Sequence, residues 1–217
     1  DGDGSFLSDN IVLGGTDNIL DKALSADPYG IGIFAGLNSK VINSISYGAH
    51  NGGNGAGIAF DFPVAGALSY NNTAYGNDRG ITNYSSGNNV IVKNTLSASN
   101  TGADFYSGLN TMTISYSASS DSTADDFSGT TGDRVSQTFT FVDTANKDFH
   151  LARNDAGAEG YGTDLSVDAT YPIINDIDYD TRPGRNSNNL ADIPWDIGAD
   201  EMNPQYGVIK DGVRLKD

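Results

Sequence analysis

Few residues of this 217-residue chain have the types and spacing to do chemistry. The opening Asp1-Gly2-Asp3-Gly4 alternates carboxylates in the manner of a calcium loop, which makes Asp1 and Asp3 the candidate metal ligands. A calcium loop of this kind closes with a bidentate Glu further on, and none follows, so calcium is the one cofactor left open. His50 sits in the glycine-rich run Tyr47-Gly48-Ala49-His50-Asn51-Gly52-Gly53-Asn54-Gly55, where His50, Asn51 and Asn54 are candidate carbohydrate contacts. No carboxylate adjoins His50 in sequence to orient its ring for proton transfer. Arg79 and Lys93 are the cations of the central stretch, and Asp125-Asp126 is a pair of carboxylates in a polar run. Asp176, Asp178 and Asp180 alternate ahead of Arg182, an arrangement that suits ion pairing within a structural segment.

The elements that position these residues come from a repeat. Ile11, Ile33, Ile58, Ile81 and Phe105 recur at intervals of 22, 25, 23 and 24. A second beat runs through Ile19, Val41, Tyr70, Val92 and Ile114 at intervals of 22, 29, 22 and 22. Spacing of this kind marks a stacked solenoid, in which each coil buries its apolar positions only against its neighbours. The short apolar runs are bounded by Gly, Asn and Ser, so they read as strands joined by tight turns, and no long stretch carries a helical apolar period. Lys93 follows Val92 one step out of phase with the beat and is therefore expected to point outward. Asn43, Asn72 and Asn94, with Asn51, Asn77 and Asn100, fall at recurring points and are expected to form amide ladders along the axis.

The register divides the chain into coils over 1–118, a polar loop over 119–134, an irregular β cap over 135–201 and a tail over 202–217 with a hairpin around Asp211-Gly212. Lys and Arg number 12 against 28 Asp and Glu, a net charge of −16, which disfavours nucleic acid and anionic lipid as partners. There is no Cys, so neither disulfides nor thiolate metal sites are available, and no apolar run is long enough to span a bilayer.

Three stretches resemble right-handed parallel β-helix proteins of the pectate-lyase-like superfamily. They are the coil unit Asn72–Ile81 with Asn94–Asn100, the pair Phe141-Val142-Asp143 and Asp148-Phe149-His150-Leu151, and the pair Asp176–Pro183 and Asp196–Glu201. The last two are similar to the closing segment of many secreted bacterial β-helix proteins. The resemblance implies an all-β, right-handed parallel β-helix with a C-terminal cap, an extracellular or cell-surface location, and a structural place for His150 in the cap. It also implies an outward base, for which Lys93 and Arg79 are the candidates if the chain is a polysaccharide lyase. Where such lyases carry calcium-binding carboxylates, this chain has Gly55 and Ala56, which offer no side-chain oxygen. No Gly-His-Gly segment accompanies Asp125-Asp126, as a β-helix glycoside hydrolase would require.

The expected function is therefore a non-catalytic extracellular building block: a fibre subunit, adhesin or sheath component. Self-association is expected at the N-terminal edge, with the tail as a strand that pairs head to tail with a neighbour. The alternative is a carbohydrate-binding or lyase-type protein, or the C-terminal part of a larger enzyme.

Overall fold

The computed structural model describes residues 11–13, 18–36, 38–61, 66–85, 87–109, 111–182 and 194–202, and the backbone of two further strands at 206–210 and 213–216. Three parallel sheets build it, with strands numbered in chain order. Sheet A stacks β1 (Ile11–Leu13), β4 (Ile31–Gly36), β7 (Ala56–Asp61), β10 (Arg79–Asn83) and β13 (Ala103–Ser107). Sheet B stacks β2 (Ile19–Asp21), β5 (Lys40–Ile42), β8 (Ala67–Tyr70), β11 (Val90–Lys93), β14 (Met112–Ser115) and β16 (Ser128–Thr131). Sheet C stacks β3 (Leu24–Ala26), β6 (Ile45–Tyr47), β9 (Thr73–Tyr75), β12 (Leu96–Ala98) and β15 (Ala118–Ser119). The chain visits A, B and C in turn and then steps up one layer, so the protein is a parallel β-solenoid, as the repeat requires.

The first apolar beat is the register of sheet A: Ile11 lies opposite Ile33, then Ile58, Ile81 and Phe105. Ile33, Ile58 and Ile81 have no exposed surface. The second beat needs a correction of one residue at two coils. Val41, Val92 and Ile114 are buried, but they align with Leu20 and Ser69 rather than with Ile19 and Tyr70. Ile19 is 51% exposed, while Leu20 packs on the core. Tyr70 faces outward and is buried there by later residues.

Each corner between sheets B and C takes a residue at positive φ: Lys22, Asn43, Asn71, Asn94 and Tyr116, with φ between 47° and 56°. Asn tolerates this region because its short polar side chain bonds locally. The Asn71 amide donates to Asn43 Oδ1 at 3.2 Å, and the Asn43 amide to Asp21 Oδ1 at 3.0 Å. The ladder therefore runs through Asn71, and Asn72 instead faces inward, accepting the Ser44 N–H at 2.9 Å. Asn77 and Asn100 do stack, at 3.0 Å, but Asn51 stands apart in its exposed loop.

The A–C corner is thin. Sheet C turns Ser25, Ser46, Ala74, Ser97 and Ser119 inward, all fully buried, and glycines of sheet A come close to them. A Cβ on Gly80 would lie 1.9 Å from Ser97 Oγ and 2.4 Å from the Asp104 carbonyl. Past β15, the run expected to be a polar loop contributes the turn Thr123–Asp125 and strand β16, and places Ala124 and Phe127 in the core.

The C-terminal segment is irregular apart from the antiparallel pair β17 (Phe141–Asp143) and β18 (Asp148–Leu151). It covers the outer faces of sheets B and C. Leu165, Ile173 and Trp195 pack on Ile42, Leu68 and Tyr70 of sheet B, and Leu151, Ala158 and Ile197 pack on Leu96, Ala98 and Ala118 of sheet C. Phe149 meets Tyr47 and Tyr75 at ring-centroid distances of 4.8 Å. The tail pairs with itself as β19 (Tyr206–Lys210) and β20 (Val213–Lys216). No helix among the described residues is long and apolar enough to cross a membrane.

Gly80→Ala is expected to destabilise the protein by several kcal/mol, on the order of an overpacked core, because a carbonyl cannot swing away as a side chain does. Gly87→Ala meets nothing within 4 Å and should leave the thermal midpoint unchanged. Melting both variants by circular dichroism decides it; equal midpoints would refute the close A–C approach.

Candidate functional site

The insertion that stretches the repeat between β6 and β7 is fastened by one carboxylate. Asp78, immediately before β10, accepts the backbone N–H groups of Asn51 at 2.7 Å and of Gly53 and Gly55 at 2.9 Å. Its other oxygen meets His50 Nδ1 at 2.9 Å. Burial of Asp78 works against its charge, but the N–H groups of Asn51, Gly55 and Gly53 and the His50 ring outweigh that cost, holding the carboxyl well below its usual range. Gly52 and Gly53 have φ of 57° and 93°, which lets the chain wrap three N–H groups around one carboxylate.

Asp78 thereby presents the loop to the outside of sheet A. The Arg79 guanidinium donates to Asn54 Oδ1 at 3.2 Å and lies 3.9 Å from the centre of the Tyr106 ring, on the neighbouring strand β13. Tyr84 donates its hydroxyl to the Asn54 carbonyl at 3.1 Å, which draws the loop back over the sheet. His50 is bridged to Tyr29 one coil below, and Tyr29 is 61% exposed. The result is one open face carrying Arg79, Tyr84, Tyr106, His50, Asn51 and Asn54. Four of the six were candidates from sequence; Tyr84 and Tyr106 were not.

Lys93 lies elsewhere. It points outward from sheet B, as its phase requires, but beneath the C-terminal segment. Its ammonium pairs with Asp168 at 2.6 Å and stands 5.2 Å from the Tyr70 ring centre. Burial of Lys93 opposes its charge, and the Asp168 and Tyr70 oxygens more than offset it, raising the pKa. A lysine held protonated in this way is a poor general base at neutral pH. Arg79 and Lys93 thus sit on different sheets and do not form one constellation.

The remaining candidates are placed as follows. Asp125 and Asp126 are exposed at the end of the turn that plugs the coil end. Arg182, buried completely, donates to Glu201 Oε2 at 3.0 Å and to the carbonyls of Asp196 and Gly198, so its ion pair is with Glu201. Asp176 accepts the N–H groups of Asp178, Asp180 and Glu201. His150 Nε2 meets Asp178 Oδ2 at 2.8 Å. Asp1 and Asp3 lie outside the described residues.

Neither protein-family models, nor curated proteins, nor solved structures match this chain.

Asp78→Ala should release the 51–55 loop, with its amides exchanging far faster with deuterium and a stability loss of about 2–4 kcal/mol for several charge-assisted hydrogen bonds. Because the folded pKa of Asp78 is depressed, its contribution is fully present above the unfolded carboxyl value of 3.8 and is lost as pH falls below it. Unchanged protection of the loop amides in the variant would show that Asp78 does not fasten it.

Proposed function

We propose that this chain is a non-catalytic β-solenoid module of an extracellular or cell-surface protein, of right-handed pectate-lyase-like architecture, that binds polysaccharide along the outer face of sheet A. The observation that carries this is the Arg79, Tyr106, Tyr84 and Asn54 cluster, with the guanidinium 3.9 Å from the Tyr106 ring centre. Sugar rings offer C–H faces and hydroxyl edges, and aromatic planes beside amide and guanidinium groups match both. Much of the ordering cost is met in advance, because Asp78, Asn54 and the rings already hold one another. The net charge of −16 favours a neutral chain over a polyuronate. The non-catalytic reading draws on Lys93, which is committed to Asp168 on another sheet.

Affinity electrophoresis through gels containing xyloglucan, galactomannan, mixed-linkage glucan or polygalacturonate tests this. At least one neutral polymer should retard the protein, polygalacturonate should not, and Arg79→Ala or Tyr106→Ala should abolish the retardation without changing the circular dichroism. No retardation by any neutral polymer, or retardation indifferent to both substitutions, would overturn the binding face. A rise in ultraviolet absorbance from unsaturated uronate products would overturn the non-catalytic reading.

A second reading, self-association, is favoured by the first coil. Among the described residues, strands β1, β2 and β3 are each paired on one side only, and Val12, Ile19 and Leu24 are 55%, 51% and 58% exposed. Such an edge is a template for a second copy of this chain. Light scattering should show a concentration-dependent mass that Leu24→Lys lowers; a monomer at high concentration removes this reading.

A further inference from the structure

A second cluster of chemical groups lies on the C-terminal segment, far in sequence from the sheet A face and independent of the function proposed for it. His150 on β18, Asp178 and Asp200 bring one ligand atom each to within 4.8 Å of one another. Three separate stretches supply them. His150 comes from a strand, Asp178 from the turn that Asp176 ties by accepting the N–H groups of Asp178 and Asp180, and Asp200 from the stretch whose next residue, Glu201, also donates to Asp176. The Asp176 carboxylate thus ties the stretches of Asp178 and Asp200 together, and the Leu151 N–H joins the strand of His150 to Asp200 itself.

The two ring nitrogens of His150 have different surroundings. Nδ1 meets Asp148 Oδ1, and the same oxygen accepts the His150 backbone N–H at 3.1 Å, which locks the ring. Nε2 faces Asp178 at 2.8 Å. A carboxylate on one nitrogen with the other nitrogen turned to further carboxylates is the arrangement that orients a metal-binding imidazole. Asp200 supplies a second observation. It is only 8% exposed, and among the described residues its one hydrogen bond is from the Leu151 N–H to Oδ2. Its carboxylate thus stands largely out of water beside the imidazole, where a cation would offset the cost of burying its charge.

We infer that His150 Nε2, Asp178 and Asp200 form a binding site for a divalent transition-metal cation of the zinc class, with Asp148 as the positioning residue. One imidazole and two carboxylates suit this class better than calcium, which takes oxygen ligands alone. Zinc bonds of about 2.0–2.2 Å in a tetrahedron set ligand atoms about 3.4 Å apart, so the group must draw together around the ion. Asp178 is exposed and free to make that adjustment. The competing arrangement is a protonated His150 that bridges the carboxylates with no metal.

The full-length chain, stripped with EDTA and dialysed, is titrated with ZnCl2 by calorimetry and melted with and without it. One Zn2+ per chain should bind and raise the melting temperature by several degrees. Asp178→Asn, at an exposed position, should keep the metal-free melting temperature and weaken zinc binding at least tenfold. His50→Gln should bind as the parent does. The inference is overturned if no zinc binds, if binding survives both Asp178→Asn and His150→Gln, if His50→Gln abolishes it, or if Ca2+ binds as tightly as Zn2+. Polysaccharide retardation is unaffected by Asp178→Asn or His150→Gln, because the sheet A face contains none of His150, Asp178, Asp200 and Asp148.

Discussion

Sheets B and C carry apolar side chains on both faces, and most of the remaining architecture follows from that. A coil that turns Val41 and Val92 inward turns Ile42, Ile91 and Tyr70 outward, and sheet C does the same with Ile45, Tyr47 and Leu96. Each large side chain left in water would forfeit about 1.5–3 kcal/mol of burial. A solenoid of bare coils with this sequence would expose a continuous apolar stripe along two of its three sides. The irregular segment after β15 removes that stripe, and it needs little regular structure because the sheets beneath it are already flat and ordered. Buried Arg182 organises its backbone by holding the carbonyls of Asp196 and Gly198 together with Glu201. Removing the guanidinium would leave the buried Glu201 carboxylate without its cation and take the donor from two carbonyls, a greater loss than the pair itself contributes.

Sheet A carries none of these outer clusters among the described residues, and the proposed binding face lies there. The three apolar clusters outside the core all belong to sheets B and C. Sheet A covers its own outer surface with Tyr84, Tyr106 and Arg79, so that Ala59 and Thr82 beneath are fully buried. The glycine-rich insertion leans over the same side. A face built from polar-tipped rings and a guanidinium is stable in water without a lid, and it can still offer stacking surface to a ligand.

What the sequence made legible depends on this difference. In sheet A the beat from Ile11 to Phe105 gives the register, because the neighbouring row, Val12, Phe34, Ala59, Thr82 and Tyr106, turns small or polar-tipped in the later coils. In sheet B the pairs Ile19-Leu20, Val41-Ile42 and Ile91-Val92 are apolar on both faces, and a slip of one residue costs the pattern nothing. That is how Ile19 stood in for Leu20, and Tyr70 for Ser69. The loop contacts were readable in principle, because residues one coil apart are neighbours. Asn54 and Arg79 are 25 residues apart, and His50 and Asp78 are 28 apart. His150, Asp178 and Asp200 lie outside the repeat, where no period relates one residue to another, and only the folded chain brings them together.

The distribution of charge follows from the same packing. Six described cations lie against aromatic rings: Lys22, Arg79, Lys93, Arg134, Lys147 and Arg182. Lys22 over Tyr179, Lys147 over Tyr47 and Arg134 over Tyr161 join the solenoid to the segment laid on it. Half of the 12 Lys and Arg residues are thus engaged with aromatic rings, several of them as clamps beneath or beside that segment. Several of the 28 acidic residues, among them Asp78, Asp176 and Glu201, are buried and engaged with backbone N–H groups or Arg182, but the remaining excess dominates the field the protein presents. An acidic exterior around the ring-stacked Arg79 of sheet A repels polyanions at long range and leaves short-range contact to uncharged surfaces. The neutral glycan proposed for sheet A is in this sense the ligand that suits how the solenoid holds its second layer.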